Sequence, residues 1–193
     1  MAGGAMASKP AGPDKAIWIE GEDADTATNK PHSWYDSVKK DVLSDGQWLS
    51  HFDNSKKIQP AASYSFEIII PDTYVFWMRA NPTKAGISYQ LDGGDWKAVD
   101  MQNDIRGRLN IASDNKPDLR SIAWIRVSEI ELKKGRHEIK IRFDSETAYH
   151  GGLDCFTFVR IPWAPSGASK PSIQVASTDP GAWFPFMPDD DEF

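Results

Sequence analysis

Two glutamates, Glu20 and Glu22, lie two residues apart near the start of the chain. Ile17 and Ile19 alternate with Trp18, which predicts a strand, and on a strand both carboxylates leave the same face. Like charges at this spacing repel each other unless a cation or a base lies between them. The pair therefore predicts either a cation site with hard oxygen ligands or a solvated acidic edge. The residues alone leave both interpretations open.

The single cysteine, Cys155, lies in the apolar run from residue 153 to residue 159. This setting predicts a buried core thiol, since a catalytic thiol needs a positioned base and only His150 is near in sequence.

The carboxylates do not have the arrangement of a glycosidase. Glu20 and Glu22 lie side by side on one strand, whereas a glycosidase needs carboxylates that face each other across a cleft. The sequence contains neither a nucleophile elbow nor a zinc motif. We therefore expect a protein that is not an enzyme.

Two long polar stretches, residues 25–45 and 101–121, interrupt the apolar pattern. Loops of this length are uncommon unless they serve a function. Their basic side chains either meet an acidic ligand or pair with nearby aspartates. The eight tryptophans of the chain predict a Trp-rich core, a surface that stacks on flat ligands, or both. The polar and aromatic candidates in the two stretches are Trp34, Tyr35, Lys39, Lys40, Arg106, Arg108, Asn110, Asn115 and Arg120.

The elements that must position these side chains are predicted to be strands. Apolar residues recur with a period of two, turn signals separate the runs, and no segment keeps a helical period for three turns. Many short strands at this spacing favour an all-β fold, an antiparallel jelly-roll β-sandwich with long loops. The predicted strands are 16–22, 63–70, 73–80, 87–91, 96–99, 122–132, 137–143 and 153–161.

Composition limits the classes of partner. The net charge is -6 and the isoelectric point is about 5.2, so the basic face of a nucleic-acid-binding domain is not expected. The chain contains no run of about 18 apolar residues, which predicts no membrane contact. One cysteine cannot form an internal disulfide, and so its presence does not indicate a compartment.

The chain divides into three predicted segments. Residues 1–15 are rich in Gly, Ala, Pro and Lys and predict a flexible leader or linker remnant. Residues 16–162 carry the strands and form the predicted sandwich domain. Residues 163–193 are a predicted Pro-rich linker followed by an aromatic and acidic tail, and three aromatic residues in so short a tail usually dock on a surface.

Five motifs in fixed order resemble carbohydrate-binding modules of families 6 and 35. Those families show a Glu-x-Glu opening, a Gly-Gln-x-x-Gly-Tyr-x-Asp segment, a Tyr-x-x-x-x-Arg-Ala strand and a closing Asn-x-Asp-x-Phe. The resemblance covers roughly residues 17–160, and it implies a β-sandwich that binds glycans without catalysis. The matching segments here are Glu20–Glu22, Gly46–Asp53, Tyr74–Ala80, Leu132–Ile139 and Gly152–Phe158.

The resemblance also implies site residues. A structural calcium would be held by Glu20, Glu22 and Asp154, and a sugar ring would stack on Trp124. Two positions depart from the family pattern, with His51 in place of Tyr and Gly152 in place of the sugar-contacting Asn. For Trp124 core packing is the alternative, and for Trp34 and Tyr35 it is a loop anchor. The expected ligand-binding set is His51, Trp124, Arg106, Asn110, Arg120, Trp34 and Tyr35.

Together these observations predict a carbohydrate-binding module that targets an appended polysaccharide-active enzyme to its glycan. The expected partners are a polysaccharide or oligosaccharide and the catalytic domain of the same parent chain. The expected location is extracellular, with the export signal outside this sequence. One alternative is a structural domain that docks on a catalytic domain and binds no sugar. The other is a β-sandwich lyase or hydrolase built on Tyr149, His150 and Arg120.

Overall fold

The computed structural model describes residues 7–10, 12–56, 59–146 and 148–175. In these ranges the chain forms two antiparallel sheets and a separate two-stranded ribbon. Helix in these ranges is limited to two short 3-10 turns, Lys40–Val42 and Ser44–Gly46. None of the helical segments described is long and apolar enough to cross a membrane. The prediction of an all-β, antiparallel jelly-roll sandwich is confirmed.

The strands are β1 (Ala7–Pro10), β2 (Ala16–Glu20), β3 (Thr26–Ala27), β4 (Leu49–His51), β5 (Ala61–Ile68), β6 (Asp72–Ala80), β7 (Ile87–Leu91), β8 (Lys97–Ala98), β9 (Arg106–Asn110), β10 (Ser121–Leu132), β11 (Gly135–Phe143), β12 (Gly151–Val159) and β13 (Ser172–Val175). One sheet has the order β2–β12–β6–β10–β9, with β4 paired to β12. The other has the order β3–β5–β11–β7–β8, and β1 pairs with β13 in the ribbon.

The core lies between the two sheets and is largely aromatic. Side chains alternate between the two faces of a strand, so β6 buries Tyr74, Phe76 and Met78 on its inner face. From β12 the core receives Phe156 and Phe158, and Phe158 stacks on Phe76 with ring centroids 4.7 Å apart. Burying such large rings is the main favourable contribution to folding. This packing fixes the two sheets, and with them the loops at their ends.

The outward face of the six-stranded sheet carries a second apolar layer. Residues 163–170 cross this face after β12 and bring Trp163 edge-on against three other indoles, at centroid distances of 5.3 to 6.4 Å. The segment is also hydrogen-bonded there, because Trp124 Nε1–H donates to the Gly167 carbonyl over 2.8 Å. We call this group the tryptophan cluster, and its members are Trp18, Trp77, Trp124 and Trp163.

An irregularity in β10 changes which face its side chains occupy. The register of β10 with β6 shifts between Arg126 and Ser128. As a result Trp124 lies on the outward face, whereas Leu132 lies in the core. Strict alternation along residues 122–132 would place Trp124 and Leu132 on one face, but an extra residue in one strand reverses the alternation beyond it.

Both ends of the described chain make contacts that the sequence did not predict. Within residues 1–15, the predicted leader, β1 pairs with β13 and places Ala7 opposite Val175. Residues 163–170, assigned to the linker, lie against the sheet as described above. The aromatic and acidic tail from residue 176 onwards lies outside the described residues. The contacts of the predicted body, residues 16–162, thus extend into both flanking segments.

Candidate functional site

Trp124, predicted to stack on a sugar ring, is buried in the tryptophan cluster. It is 1% exposed, with the ring of Trp18 at 5.6 Å and that of Trp163 at 5.3 Å. A ligand cannot reach the indole face while residues 163–170 lie over it. The prediction that Trp124 binds sugar is therefore wrong, and the alternative of core packing is correct.

His51 is also buried and is wrong as a surface contact. It is 1% exposed, and its Nδ1 accepts the backbone N–H of Lys30 over 2.9 Å. Burial lowers the pKa of His51, partly offset by the carboxylate of Asp53. The side chain therefore holds the loop after β3 against β4 as a neutral acceptor.

Arg120 joins the two long loops instead of facing solvent. It is 2% exposed, and its guanidinium donates to Asp118 over 2.6 Å and to Asp114 over 2.8 Å. A further N–H donates to the carbonyl of Ser37 in the early loop over 2.8 Å. Every one of these bonds is part-buried and charge-assisted, and charge-assisted bonds are stronger than neutral ones. The prediction that Arg120 contacts a ligand directly is wrong, because its guanidinium N–H groups already donate to aspartates and carbonyls of the two loops.

The neighbouring residues Trp34 and Tyr35 have opposite environments. Tyr35 is 0% exposed, accepts a hydrogen bond from Asn81 at 2.6 Å and stacks on Trp48 at 5.2 Å, and burial raises the pKa of its phenol. Tyr35 is thus a loop anchor. Trp34 is 39% exposed, and the guanidinium of Arg120 lies 5.0 Å from its ring. Of the predicted pair, only Trp34 presents its ring to solvent.

Trp34 belongs to a small aromatic surface at one end of the sandwich. The ring of Phe52 meets it edge-on at 5.7 Å, and the ring of His32 lies 5.2 Å from Phe52. Trp34 and His32 are exposed and Phe52 is half-buried. We call Trp34, His32 and Phe52 the loop-end surface. Its aromatic rings suit a ligand with a flat apolar face.

A cavity of about 150 Å³ lies next to the loop-end surface, with Asp36, Lys40, Gln47 and Trp48 among its lining residues. Asp36 connects the two, since one carboxylate oxygen accepts the indole N–H of Trp48 at 3.2 Å and the other accepts the backbone N–H of His32 at 3.0 Å. A carboxylate, an amide and an ammonium group around one cavity provide both acceptors and donors. The arrangement suits a compact ligand with several hydroxyls.

Sequence reasoning did not identify Trp48 as a site residue, although the glycine at position 152 indicates that a large side chain lies close to it. A Cβ at Gly152 would lie 2.1 Å from Cζ3 of Trp48. The indole therefore occupies the volume that a side chain at position 152 needs. The family pattern usually has Asn where this chain has Gly152. The missing side chain at position 152 leaves the volume that the indole of Trp48 fills.

Arg106 and Asn110 lie away from the loop-end surface. Arg106 makes a bidentate pair with Asp104, at 3.1 and 2.9 Å, and lies 5.2 Å from the ring of Trp77. It lines a separate groove of about 240 Å³ beside Trp163. Asn110 donates to the carbonyls of residues 115 and 116 and so shapes its own loop. The structure does not bring either side chain to Trp34.

Glu20 and Glu22 contain buried carboxylate oxygens that have no hydrogen-bond partner. Glu20 Oε1 accepts the indole N–H of Trp18 at 2.8 Å and lies 3.3 Å from the ammonium of Lys170. Glu20 Oε2 and both oxygens of Glu22 lack a partner among the residues that the structure describes. Burial, with added repulsion from Glu20, raises the pKa of Glu22 to about 7. Buried acceptors without donors are costly, so these oxygens fit the requirement of a cation.

Asp154 does not join the two glutamates as predicted. One oxygen accepts from Arg79 at 2.6 Å and the other accepts the backbone N–H of Ser44 at 2.9 Å. The register of β12 with β6 shifts between Leu153 and Cys155, and such an irregularity breaks the alternation of side chains between the two faces of the strand. Among the described residues no three His, Cys, Asp or Glu side chains converge on one point. The predicted trio is therefore not assembled, and two of its members carry the unpartnered oxygens.

No family model matches this chain, and no curated protein does. Among solved structures, the chain is similar to a family 35 carbohydrate-binding module from an environmental isolate. The two share 16% identity at a TM-score of 0.50, and the alignment covers 83% of this chain and 98% of that one. At this identity the likeness establishes the fold, and the predicted resemblance is confirmed at that level.

Two larger enzymes are also similar over part of their length. One is a GH26-CBM35 β-(1,4)-mannanase from Podospora anserina, with 16% identity, a TM-score of 0.48 and 79% of this chain aligned to 29% of that one. The other is an exo-β-1,3-galactanase from Phanerochaete chrysosporium, with 13% identity, a TM-score of 0.45 and 74% of this chain aligned to 29% of that one. This chain thus spans less than a third of either enzyme.

Proposed function

We propose that this chain is a non-catalytic carbohydrate-binding module whose glycan lies against Trp34 on the loop-end surface. The observation that carries the proposal is that Trp34 is exposed and yet held in place. Arg120 lies behind its ring and Phe52 meets it edge-on. A fixed aromatic platform gains affinity because little side-chain entropy is lost on binding.

The chemistry around Trp34 matches what a sugar presents. One face of a pyranose is made of C–H groups, which pack on an aromatic ring, and its edge carries hydroxyls, which need planar donors and acceptors. Trp34 supplies the aromatic ring. The donors and acceptors for the hydroxyls come from Asp36, Gln47 and Lys40 around the neighbouring cavity. The fold shared with a family 35 carbohydrate-binding module supports the same function.

The proposal includes a parent enzyme that acts on polysaccharides outside the cell. Its support is the composition of residues 164–172, in which Ala, Pro, Ser and Gly predominate as in segments that join domains, even though residues 163–170 pack on the sheet in this structure. In such a protein this module would keep the catalytic domain, on the same chain, close to its glycan. Linking the two domains raises the local concentration of substrate without any new contact.

We expect Trp34→Ala to weaken glycan binding about tenfold or more, because stacking on one ring contributes about 1–3 kcal/mol in the analogous case of bases. The probes are mannohexaose and β-1,3-galactotriose, followed by a glycan array, with affinity measured by calorimetry at pH 7.5. Trp96→Ala is the matched control, since Trp96 is a partly exposed indole stacked on Arg142 at 4.2 Å. Trp96→Ala is expected to bind like the unmodified protein.

Two results would count against this function. If no glycan on the array binds at millimolar concentration, a domain that docks on a catalytic partner without binding sugar becomes the better hypothesis. If Trp34→Ala and Trp96→Ala bind equally well, the glycan lies elsewhere on the sandwich. The catalytic alternative is tested in the same samples, because new reducing ends or unsaturated uronates would reveal it.

We also propose that Glu20 and Glu22 hold a structural calcium ion. The proposal rests on three buried carboxylate oxygens without a partner and on the preference of calcium for hard oxygen ligands. When bound, the ion would neutralise the two carboxylates and keep β2 close to β12. Asp154 would contribute only indirectly, since Arg79 and Ser44 already occupy its oxygens.

Glu22 makes this proposal testable through the pH dependence of stability. Its folded pKa of about 7 lies above the usual 4.5, so the folded state binds more protons than the unfolded state between these values. In EDTA the melting temperature should therefore fall as the pH rises from 4.5 to 7. Added calcium should reverse the loss at pH 7.5, because an ion that binds only the folded state stabilises it.

Glu22→Gln is expected to remove both the fall in EDTA and the gain with calcium. Glu67→Gln, on an exposed part of β5, is the control and should behave like the unmodified protein. An unmodified protein whose melting curve is the same in EDTA and in calcium at pH 7.5 would refute the calcium site.

A further inference from the structure

The loop that carries Trp34 is attached through two histidines that act as acceptors. Nδ1 of His51 accepts the backbone N–H of Lys30 at 2.9 Å, and Nδ1 of His32 accepts the backbone N–H of Trp34 at 3.2 Å. An imidazole nitrogen accepts a hydrogen bond only while it carries no proton. Both bonds therefore require neutral imidazole rings with Nδ1 unprotonated.

We propose that the loop-end surface is a pH-dependent binding site, which holds its glycan while His32 and His51 are neutral and releases it when they are protonated. This inference rests on the proposed function for its ligand, but the loop movement that it requires can be measured without any glycan. The inference adds regulation by pH to the glycan site proposed above.

Protonation of His51 has the larger effect, because the ring is buried. Its Nε2 is buried and has no hydrogen-bond partner in the described part of the chain, so the charged ring would have two buried donors and no acceptor there. The charged groups around it act in opposite directions, since the carboxylate of Asp53 favours the charged ring and the ammonium of Lys30 opposes it. Those two groups lie 4.0 Å apart. Burial dominates and keeps the pKa of His51 below the usual 6.5.

The sign of the effect follows from this lowered pKa. Below about pH 6.5 an exposed histidine takes up a proton, whereas the buried His51 of this structure takes one up less readily. Any state in which His51 reaches solvent is thus favoured as the pH falls through this range. The state we expect is release of the loop at Lys30, because residues 28–33 belong to no strand. Among the described residues, Lys30 then keeps only the Phe52 N–H bond to its carbonyl, at 3.2 Å, and the ion pair with Asp53 at 4.0 Å.

His32 connects the same change to Trp34 itself. Its ring is exposed, and the groups that face it are the carboxylate of Asp36, which accepts the backbone N–H of His32, and the ring of Phe52. Once charged, the ring loses its bond to the backbone of Trp34 and is drawn to Asp36. The loop-end surface then loses the geometry in which Trp34, Phe52 and His32 face one ligand.

His137 differs from His32 and His51, because its ring nitrogens face oxygen atoms. His137 lies on β11, where its two nitrogens face the Asp92 carboxylate at 2.7 Å and the Lys133 carbonyl at 2.7 Å. His150 packs near Phe52 at 6.5 Å, and its Nε2 faces the carbonyl of Thr83 at 3.0 Å. A nitrogen that faces oxygen donates, and protonation does not break such a bond. His137 therefore provides a matched control.

The test uses His32→Asn, His51→Asn and the double variant, because the Asn side chain places an oxygen near the position of Nδ1 and does not titrate. Affinity for mannohexaose and β-1,3-galactotriose is measured from pH 7.5 to pH 5.0, with a melting curve at each pH. In the unmodified protein we expect a loss of about threefold to tenfold for each hydrogen bond broken. The affinity of the double variant, whatever its value at pH 7.5, should change little between pH 7.5 and pH 5.0, and His137→Asn should follow the unmodified protein.

A second measurement follows the Trp34 amide and indole resonances by NMR without glycan over the same pH range. In the unmodified protein they should shift together with the imidazole resonances of His32 and His51, and in the double variant they should not. If His51→Asn fails to fold, the exposed variant His32→Asn still reports on the bond to Trp34. A pH-independent Trp34 environment, or a pH dependence that persists in the double variant, would overturn the proposal. Absence of glycan binding at pH 7.5 would instead refute the proposed function and leave the NMR result interpretable.

Discussion

Trp124→Ala is expected to destabilise the fold by about 3–5 kcal/mol, the usual range for removing a large buried aromatic side chain. The indole is 1% exposed, contacts Trp18 and Trp163, and donates to the Gly167 carbonyl. Removal of the indole leaves a cavity, and the Gly167 carbonyl loses its hydrogen-bond donor. For a chain of this size each kcal/mol corresponds to about 2–4 °C, so the melting temperature should fall by roughly 6–20 °C.

The same variant should not change the affinity for a glycan, as long as binding is measured below its melting temperature. Trp34→Ala is expected to show the opposite pattern, with a large loss of affinity and a small loss of stability, because Trp34 is 39% exposed. The two variants together separate a structural tryptophan from a binding tryptophan. A stable Trp124→Ala protein with weakened glycan binding would contradict the structure and favour the role that the resemblance implies.

Asp154→Ala is expected to cost about 3–5 kcal/mol, because it leaves the buried guanidinium of Arg79 without its carboxylate. Arg79 is 3% exposed and Asp154 is 0% exposed, and their N–O distance is 2.6 Å. Burial raises the pKa of Asp154 to about 6 even though Arg79 opposes that shift. Desolvation thus outweighs attraction, so the intact pair adds little net stability while a broken pair is costly.

An exposed pair of similar geometry provides the control. Arg160 and Asp72 are 2.8 Å apart at the surface, and Asp72→Ala should change the free energy of unfolding by about 0–1 kcal/mol. A double variant, Arg79→Met with Asp154→Leu, should recover much of the loss, since apolar residues of similar volume often replace a buried pair. The experiment is carried out in EDTA, so that loss of calcium cannot explain the result. Equal stability of Asp154→Ala and Asp72→Ala would show that the buried pair is not formed.

Much of the fold was predictable, because a strand can be recognised from the alternation of apolar and polar residues that are neighbours in the sequence. The segment 87–91 was predicted as a strand and is β7, Ile87–Leu91, and residues 122–132 were predicted where β10 spans Ser121–Leu132. In both, the period of two is visible in the sequence. By contrast β9, Arg106–Asn110, is mostly exposed, and β4 has three residues. Neither contains enough alternation to be recognised.

The candidate site was only partly predictable. The sequence identified Trp34 and Tyr35 as a pair, but their burial depends on the partners that other loops supply, and these are Arg120 for Trp34 and Asn81 for Tyr35. The contribution of Trp48 had one signal, the glycine at position 152, which indicates that some larger neighbour fills the space. The acceptor role of His51 had none, because its partner is a backbone N–H of a distant loop.

The sequence by itself determined the all-β fold, the antiparallel sandwich and the apolar core, since alternation along each strand decides which side chains turn inward. Only the tertiary structure decided which tryptophan meets solvent and which carboxylates remain without a partner. Trp124 is buried because residues 163–170 cross its sheet, and Asp154 reaches Arg79 because an irregularity in β12 breaks the alternation. Both outcomes depend on contacts between segments far apart in sequence, and a local pattern contains no information about those contacts.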